Sequence, residues 1–187
     1  MEILLVRHTS VNVDHQLCYG FTDVELSSGY KAEFNIVKAK LPDIEEYQII
    51  SSPLSRCNKL AHFLAPSKVQ FDERIKEMNF GDWELKNWES IDKKALGNWI
   101  NDYVYYQCPS GESFLDLYTR CISFYQELDK KNVPGIVVVT HGGVIRSILS
   151  YELEIPLKKS HSLKIDFGSI SRIEVINGLT YVSGINI

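Results

Sequence analysis

A chain of 187 residues, 44% hydrophobic and 24% charged, has the make-up of a soluble globular protein with one core, and its length fits a single domain over residues 1–187. The net charge of -4 supplies no basic field for nucleic acid, and no apolar run approaches the ~20 residues that cross a membrane. Met1–Val6 lacks the charged start and cleavage site of a secretion signal, and Cys18, Cys57, Cys108 and Cys121 form no C-x-x-C pair, so reduced thiols in the cytoplasm are expected.

Ile3–Val6 is an unbroken apolar run, the pattern of a parallel strand covered on both faces. After a long loop, Tyr30, Phe34, Val37 and Leu41 recur at helical spacing within Ser28–Leu41, and Pro42 ends the run. Tyr47–Ile50 is the next strand. In "SSPLSRC" Ser52 suits an N-cap with Pro53 at the first helical position, where its missing N–H costs nothing. A short strand, Val69–Phe71, follows that helix.

Residues 72–111 differ in kind, carrying Trp83, Trp88, Trp99, Tyr103, Tyr105 and Tyr106 among charges, and read as a cap over a site. "SFLD" at Ser113–Asp116 is a variant capping box. The stripe Phe114, Leu117, Cys121, Phe124 and Leu128 then predicts a helix to about Lys131. Ile136–Val139 is a second unbroken apolar strand, and its end, "THGG", opens a helix from Val144 to about Leu153. Ser171–Ile176 and Thr180–Ile185 flank "NG" as a hairpin does. Strands alternating with helices predict an α/β three-layer sandwich whose central sheet is mostly parallel, with at least one antiparallel strand.

Ligands of such sheets bind beyond the carboxyl ends of the strands, where Arg7, His8, His141 and the start of the Arg56 helix should converge. Guanidinium forks match phosphate oxygens, so two converging arginines argue for phosphate. Helix N-termini after Ser52 and at Gly142 and Gly143 would add backbone N–H donors, with glycine permitting close approach. A neutral histidine can attack phosphorus, and a carboxyl from Glu77, Asp82 or Glu84 could protonate the leaving alcohol. Taken singly, Arg7 and His8 are ordinary structural residues and Glu77 a solvated charge; the argument lies in their convergence. His15, His62 and His161 show no partner pattern, Arg146 either supports the site or faces solvent, and the tryptophans could be packing alone. No H-x-H or H-E-x-x-H spacing supports a metallohydrolase.

"LVRHTS", "CYGFTDVELS", "SSPLSRC", "IKEMNFGDWE", "GES" and "VTHGGVIR" together resemble, in order and spacing, the histidine phosphatase superfamily over nearly the whole chain. The resemblance implies a phosphoglycerate mutase-like fold with His8 as the phosphorylated nucleophile, Arg7 and Arg56 gripping the phosphoryl oxygens, and His141 stabilising the transition state. It further implies Glu77 as the general acid and Gly20 and Phe21 as pocket-lining residues, with Gly142 and Asn12 as further substrate-binding positions. It implies no metal and no cofactor. Many relatives read R-H-G-E-T-x-x-N; here Thr9 and Ser10 replace the glycine and glutamate, Asn12 comes two residues early, and Asp14 stands at the usual asparagine position. Within the superfamily, "RHT", "YG-x-TDV" and "NFG-x-WE" are most similar to the α-ribazole 5'-phosphate phosphatases of cobalamin assembly. The expected partner is a small phosphorylated metabolite, with no nucleic acid, no membrane and no oligomeric state fixed. Other phosphometabolites, a phosphoprotein, or a phosphoglycerate mutase reaction remain the alternatives. Loss of activity usually removes the nucleophile or the acid, and this chain keeps both.

Overall fold

The computed structural model describes residues 1–128 and 133–187, so the predicted helix end near Lys131 lies outside the described residues. The elements run β1 (Glu2–Arg7), α1 (Tyr30–Lys40), β2 (Gln48–Ser51), α2 (Ser55–Leu64), β3 (Val69–Phe71), α3 (Lys93–Asn101), α4 (Phe114–Leu128), β4 (Gly135–Thr140), α5 (Gly142–Glu152), β5 (Ile170–Ile176) and β6 (Leu179–Gly184). The strands form one six-stranded sheet in the order β3-β2-β4-β1-β5-β6. Its first four members are parallel, while β5 runs antiparallel to β1 and β6 antiparallel to β5.

Alternation along each strand divides the core between the two faces of the sheet. Ile3, Leu5, Ile50, Ile136 and Val138 point to one face and pack with Leu117, Cys121 and Phe124 of α4 and Val144, Ile145 and Ile148 of α5. Leu4, Val6, Ile49, Val137 and Val139 point to the other, against Phe34 and Val37 of α1 and Leu60 and Leu64 of α2. The two apolar runs are uninterrupted because both faces are covered: Ile3–Val6 and Ile136–Val139 are all fully buried. This is the three-layer α/β sandwich expected, with two antiparallel strands at one edge. The turn between β5 and β6 holds Asn177 and Gly178 at φ of 52° and 77°, the pair of left-handed residues that a tight hairpin requires.

Capping follows the sequence at one helix and departs from it at another. At α4 the Asp116 carboxylate accepts from the Ser113 N–H at 2.9 Å, and the Ser113 hydroxyl accepts from the Asp116 N–H at 3.2 Å, a reciprocal capping box. At α2 Ser52 is not the N-cap. The helix begins three residues later, and Asp23, reaching across from the β1–α1 loop, accepts from the Ser55 N–H at 2.9 Å and from its hydroxyl at 2.8 Å. Ser52 is thereby free to serve β4, as described below.

Residues 72–111 consist of short 3-10 turns and α3. The aromatic residues within them divide by position. Trp83 is buried in the core with Tyr106 stacked beside it, whereas Tyr105 is exposed. Trp88, Trp99 and Tyr103 face a cavity at the carboxyl ends of the parallel strands.

Candidate active site

Register alone brings the ends of three parallel strands to one level. Arg7 pairs with Thr140 across β1 and β4, and Ser51 with Val139 across β2 and β4. The next residue on each strand continues the ladder: the His8 N–H donates to Thr140 O at 3.0 Å and the Ser52 N–H to Val139 O at 2.9 Å. His8, Ser52 and His141 are therefore neighbours, and the rings of His8 and His141 stand 5.2 Å apart, edge to face.

His8 is buried, and its Nδ1 lies 2.8 Å from Thr9 O. A carbonyl only accepts, so Nδ1 carries the proton and Nε2 keeps its lone pair. Burial first, and then the charges of Arg56 and Arg7, hold the His8 pKa well below the ordinary 6.5, so the ring stays neutral. His141 is neutral for the same reasons, burial before Arg56, and its Nε2 lies 2.8 Å from Ser52 Oγ, with Cys57 Sγ 3.5 Å from the same nitrogen.

Both predicted phosphate-gripping arginines are present and fixed. Arg56 is fully buried, donating from Nη1 to Thr22 O at 3.0 Å and from Nη2 to Gly20 O at 2.6 Å. Arg7 donates from Nη1 to Ile165 O at 2.6 Å, and its guanidinium carbon lies 3.8 Å above the Phe167 ring. The Nε of each is buried with no hydrogen-bond partner among the described residues.

Glu77 also reaches the cavity, its Oε2 accepting from the Gly143 N–H at 3.1 Å and its Oε1 from the Met78 N–H at 3.1 Å. Arg120 fixes the backbone beneath it by donating to Lys76 O at 2.7 Å and Glu77 O at 2.8 Å, and itself pairs with Glu112 at 2.8 Å. The other two candidate carboxyls stand elsewhere. Asp82 is exposed. Glu84 accepts from the N–H groups of Gly20, Phe21, Thr22 and Phe80 at 2.9–3.1 Å. Burial opposes its ionisation, but these bonds outweigh burial and hold Glu84 below its ordinary carboxylate value, making it a permanent acceptor and not an acid.

The predicted substrate-binding residues fare differently. Gly20 and Phe21 do not line the cavity. Gly20 instead orients Arg56 through its carbonyl, and a Cβ there would meet Met78 O at 1.8 Å. The Phe21 ring sits against Arg120 and Lys76. Asn12 is exposed and outside the cavity, its N–H spent on Glu25 O at 2.8 Å. Gly142 lies where a Cβ would stand 3.5 Å from the Arg7 guanidinium carbon. The Gly143 N–H, expected to face phosphate, is taken by Glu77, and the Ser55 N–H at the head of α2 is taken by Asp23.

Gly143 yields a sharp expectation. A Cβ there would come within 2.3 Å of Glu77 Oε1 and 2.9 Å of Leu117 Cδ2, both far ends of flexible side chains, so Gly143→Ala should fold with a small shift of Leu117 and swing the carboxylate aside. A fall of about tenfold or more in kcat/KM with the melting temperature shifted by less than ~4 °C is the expected result. Unchanged kcat/KM would mean that the position of Glu77 is immaterial.

The cavity holds about 620 Å³. Arg7, His8, Arg56 and Glu77 meet in it, and it is walled by Phe80, Trp88, Trp99, Tyr103 and Phe114, with Tyr19, Arg146, Ser160 and His161 also in its lining. Among the described residues no three His, Cys, Asp or Glu side chains converge as a metal site, and no helix is long and apolar enough to cross a membrane.

His8, Arg7, Arg56 and Glu77 thus line one cavity, while His141 stands beside His8 outside that lining. The model of the histidine phosphatase superfamily, branch 1, matches residues 3–187, and the chain belongs to that superfamily. A protein of Hydrogenobacter thermophilus provisionally named phosphoserine phosphatase 2 is 28% identical over 133 residues, 68% of this chain and just under two thirds, 66%, of that one. An Escherichia coli protein provisionally named phosphoglycerate mutase GpmB is 27% identical over 196 aligned positions, covering 98% of this chain and 89% of its own. The crystal structure of the α-ribazole phosphatase from Shigella flexneri superposes with a TM-score of 0.91 at 22% identity, over 100% of this chain and 96% of that one, and establishes the shared fold.

Proposed function

We propose that the chain is a phosphomonoesterase that works through a phosphohistidine at His8, needs no metal, and acts on α-ribazole 5'-phosphate. The observation that carries the chemistry is the His8 tautomer: with Nδ1–H held by Thr9 O, Nε2 keeps its lone pair on a ring that lines the same cavity as Arg7 and Arg56. In this scheme Nε2 attacks phosphorus as the ester oxygen departs. The P–O bond to the leaving group breaks, an N–P bond forms, and Glu77 supplies the proton that the leaving alkoxide requires. Arg7 and Arg56 donate to the equatorial oxygens, and His141, its ring 5.2 Å from that of His8, supports the same group. Water then attacks the phosphohistidine while Glu77 takes its proton, which returns His8 neutral and releases phosphate.

The substrate reading rests on the cavity walls. Trp88 and Trp99 lie with ring centroids 5.7 Å apart at 27°, and Phe80 packs edge-on against both. Their flat apolar surface suits a benzimidazole base, and the likeness to the Shigella flexneri fold is consistent with it. Trp83, equally conspicuous in the sequence, is buried behind this wall and has no part in the reading.

The test is phosphate release, in excess EDTA, from α-ribazole 5'-phosphate, 3-phosphoglycerate and p-nitrophenyl phosphate. A kcat/KM at least about a hundredfold higher for the ribazole nucleotide, about 2.7 kcal/mol in transition-state binding, is expected. Trp88→Ala should cut that advantage by about tenfold or more. Equal rates on all three would keep the chemistry and discard the substrate, and loss of activity in EDTA would discard the metal-free scheme.

A further inference from the structure

Arg146 is a third arginine at the cavity, and the chemistry above leaves it unused. It stands one turn into α5, half-buried, and its Nε donates to Leu163 O at 3.0 Å. Among the described residues neither of its terminal nitrogens makes a hydrogen bond or an ion pair. Being pinned through Nε, the side chain is held in place while both terminal NH₂ groups stay available. Its Nη1 and the Arg7 guanidinium carbon flank Gly142, at 3.4 and 3.5 Å from where a Cβ would sit.

Two like charges side by side, with Glu77 the one carboxylate in the cavity lining among the described residues, imply an oxygen-rich ligand reaching past the phosphoryl group. Arg146 is close enough to Arg7 for its charge to disfavour the Arg7 cation. With Arg7 and Arg56 assigned to the phosphoryl oxygens, its terminal donors are left for the rest of a ligand in the same cavity. Ser160 and His161, from the turn preceding Leu163, share this lining, so the cavity offers polar groups as well as the Trp88–Trp99 wall.

We infer that Arg146 is a specificity-determining residue that donates to oxygens carried by the leaving group close to the ester bond, a hydroxyl or a carboxylate. This rests on the phosphomonoesterase reading but not on the choice of α-ribazole. Given a sugar phosphate, Arg146 would read the ribose hydroxyls while the tryptophans take the base; given a phosphorylated hydroxy acid, it would read the carboxylate.

The test is a series of three-carbon esters of primary alcohols: n-propyl phosphate, glycerol 1-phosphate and 3-phosphoglycerate. Their ester bonds are of one kind, so differences in kcat/KM report mainly contacts to the added oxygens. The wild type should prefer at least one oxygen-bearing ester over propyl phosphate by about tenfold or more, and which one distinguishes hydroxyl from carboxylate. In Arg146→Gln that preference should shrink to less than about threefold, chiefly through KM. Should Arg146→Gln fail to fold, Arg146→Lys, which keeps charge but loses the fork, should cut the preference by about threefold or more. A wild type without preference, or a preference that survives in the folded variants, overturns the inference. A wild type that releases phosphate from none of these esters, nor from p-nitrophenyl phosphate, overturns the phosphatase reading and this inference with it.

Discussion

His8→Ala is expected to lower kcat/KM by about 10⁴-fold or more on every phosphate ester alike, because the variant lacks the atom that bonds to phosphorus. Incubated with a ³²P-labelled ester and quenched in alkali, the wild type should carry acid-labile, alkali-stable label and the variant none. The buried ring also fixes the pH dependence. A neutral histidine with its pKa held well below 6.5 loses nucleophilicity only when protonated, so any acid limb of kcat/KM due to His8 lies below pH 6.5. Label retained by His8→Ala would assign the nucleophile to another residue, and His141, 5.2 Å away by ring centroid, would be examined next.

The second large effect is a selective one. Glu77→Gln keeps the size of the side chain and the capacity to accept from the Gly143 N–H, but it can neither give nor take a proton. For alkyl phosphates, whose alkoxide must be protonated as it leaves, kcat/KM should fall about 10²- to 10³-fold. For p-nitrophenyl phosphate, whose leaving group departs as a stable anion, kcat/KM should fall less than about tenfold. Turnover should nevertheless slow, because the water that attacks phosphohistidine has lost its base. A burst of p-nitrophenol, one equivalent per site, followed by a slow steady state is the signature. Equal losses on both classes of ester, with no burst, would move the acid to another group.

The layers of the sheet and the meeting of its strand ends were legible because they depend on local pattern. Ile3–Val6 and Ile136–Val139 are apolar at every position, and only a doubly covered parallel strand tolerates that. Once both are parallel and adjacent, Arg7, His8 and His141 have nowhere to be but side by side. What escaped the sequence depends on contacts between segments far apart in the chain. Ser52 has the composition of a cap, but a carboxylate from the preceding loop, Asp23, takes that work, and Ser52 turns to His141 instead. Glu77 and Glu84 are indistinguishable as letters in "KEMNFGDWE". One meets two backbone amides, of Gly143 and Met78, and the cavity; the other meets four backbone amides. Gly20 and Phe21 matched a pocket motif, yet both stand outside the cavity: Gly20 steers Arg56 through its carbonyl, and the Phe21 ring packs against Arg120 and Lys76. Arg120, which fixes the backbone of Glu77, carried no local signal at all.

The strand order has a consequence for how the protein is made. β1 lies between β4 and β5, both drawn from the last third of the chain. During synthesis the apolar segment Ile3–Val6 therefore leaves the ribosome with neither hydrogen-bonding neighbour in existence; one edge stays open until Gly135–Thr140 has emerged and the other until residues near Ile176 have. Closing so long a loop is slow relative to helix formation. The helices should thus precede the central strand pairing, with β1 as the segment most exposed to aggregation and to chaperone capture in the interval. Recovery of activity on refolding then becomes a direct clock for the docking of β1, since the nucleophile has no partner histidine until that moment.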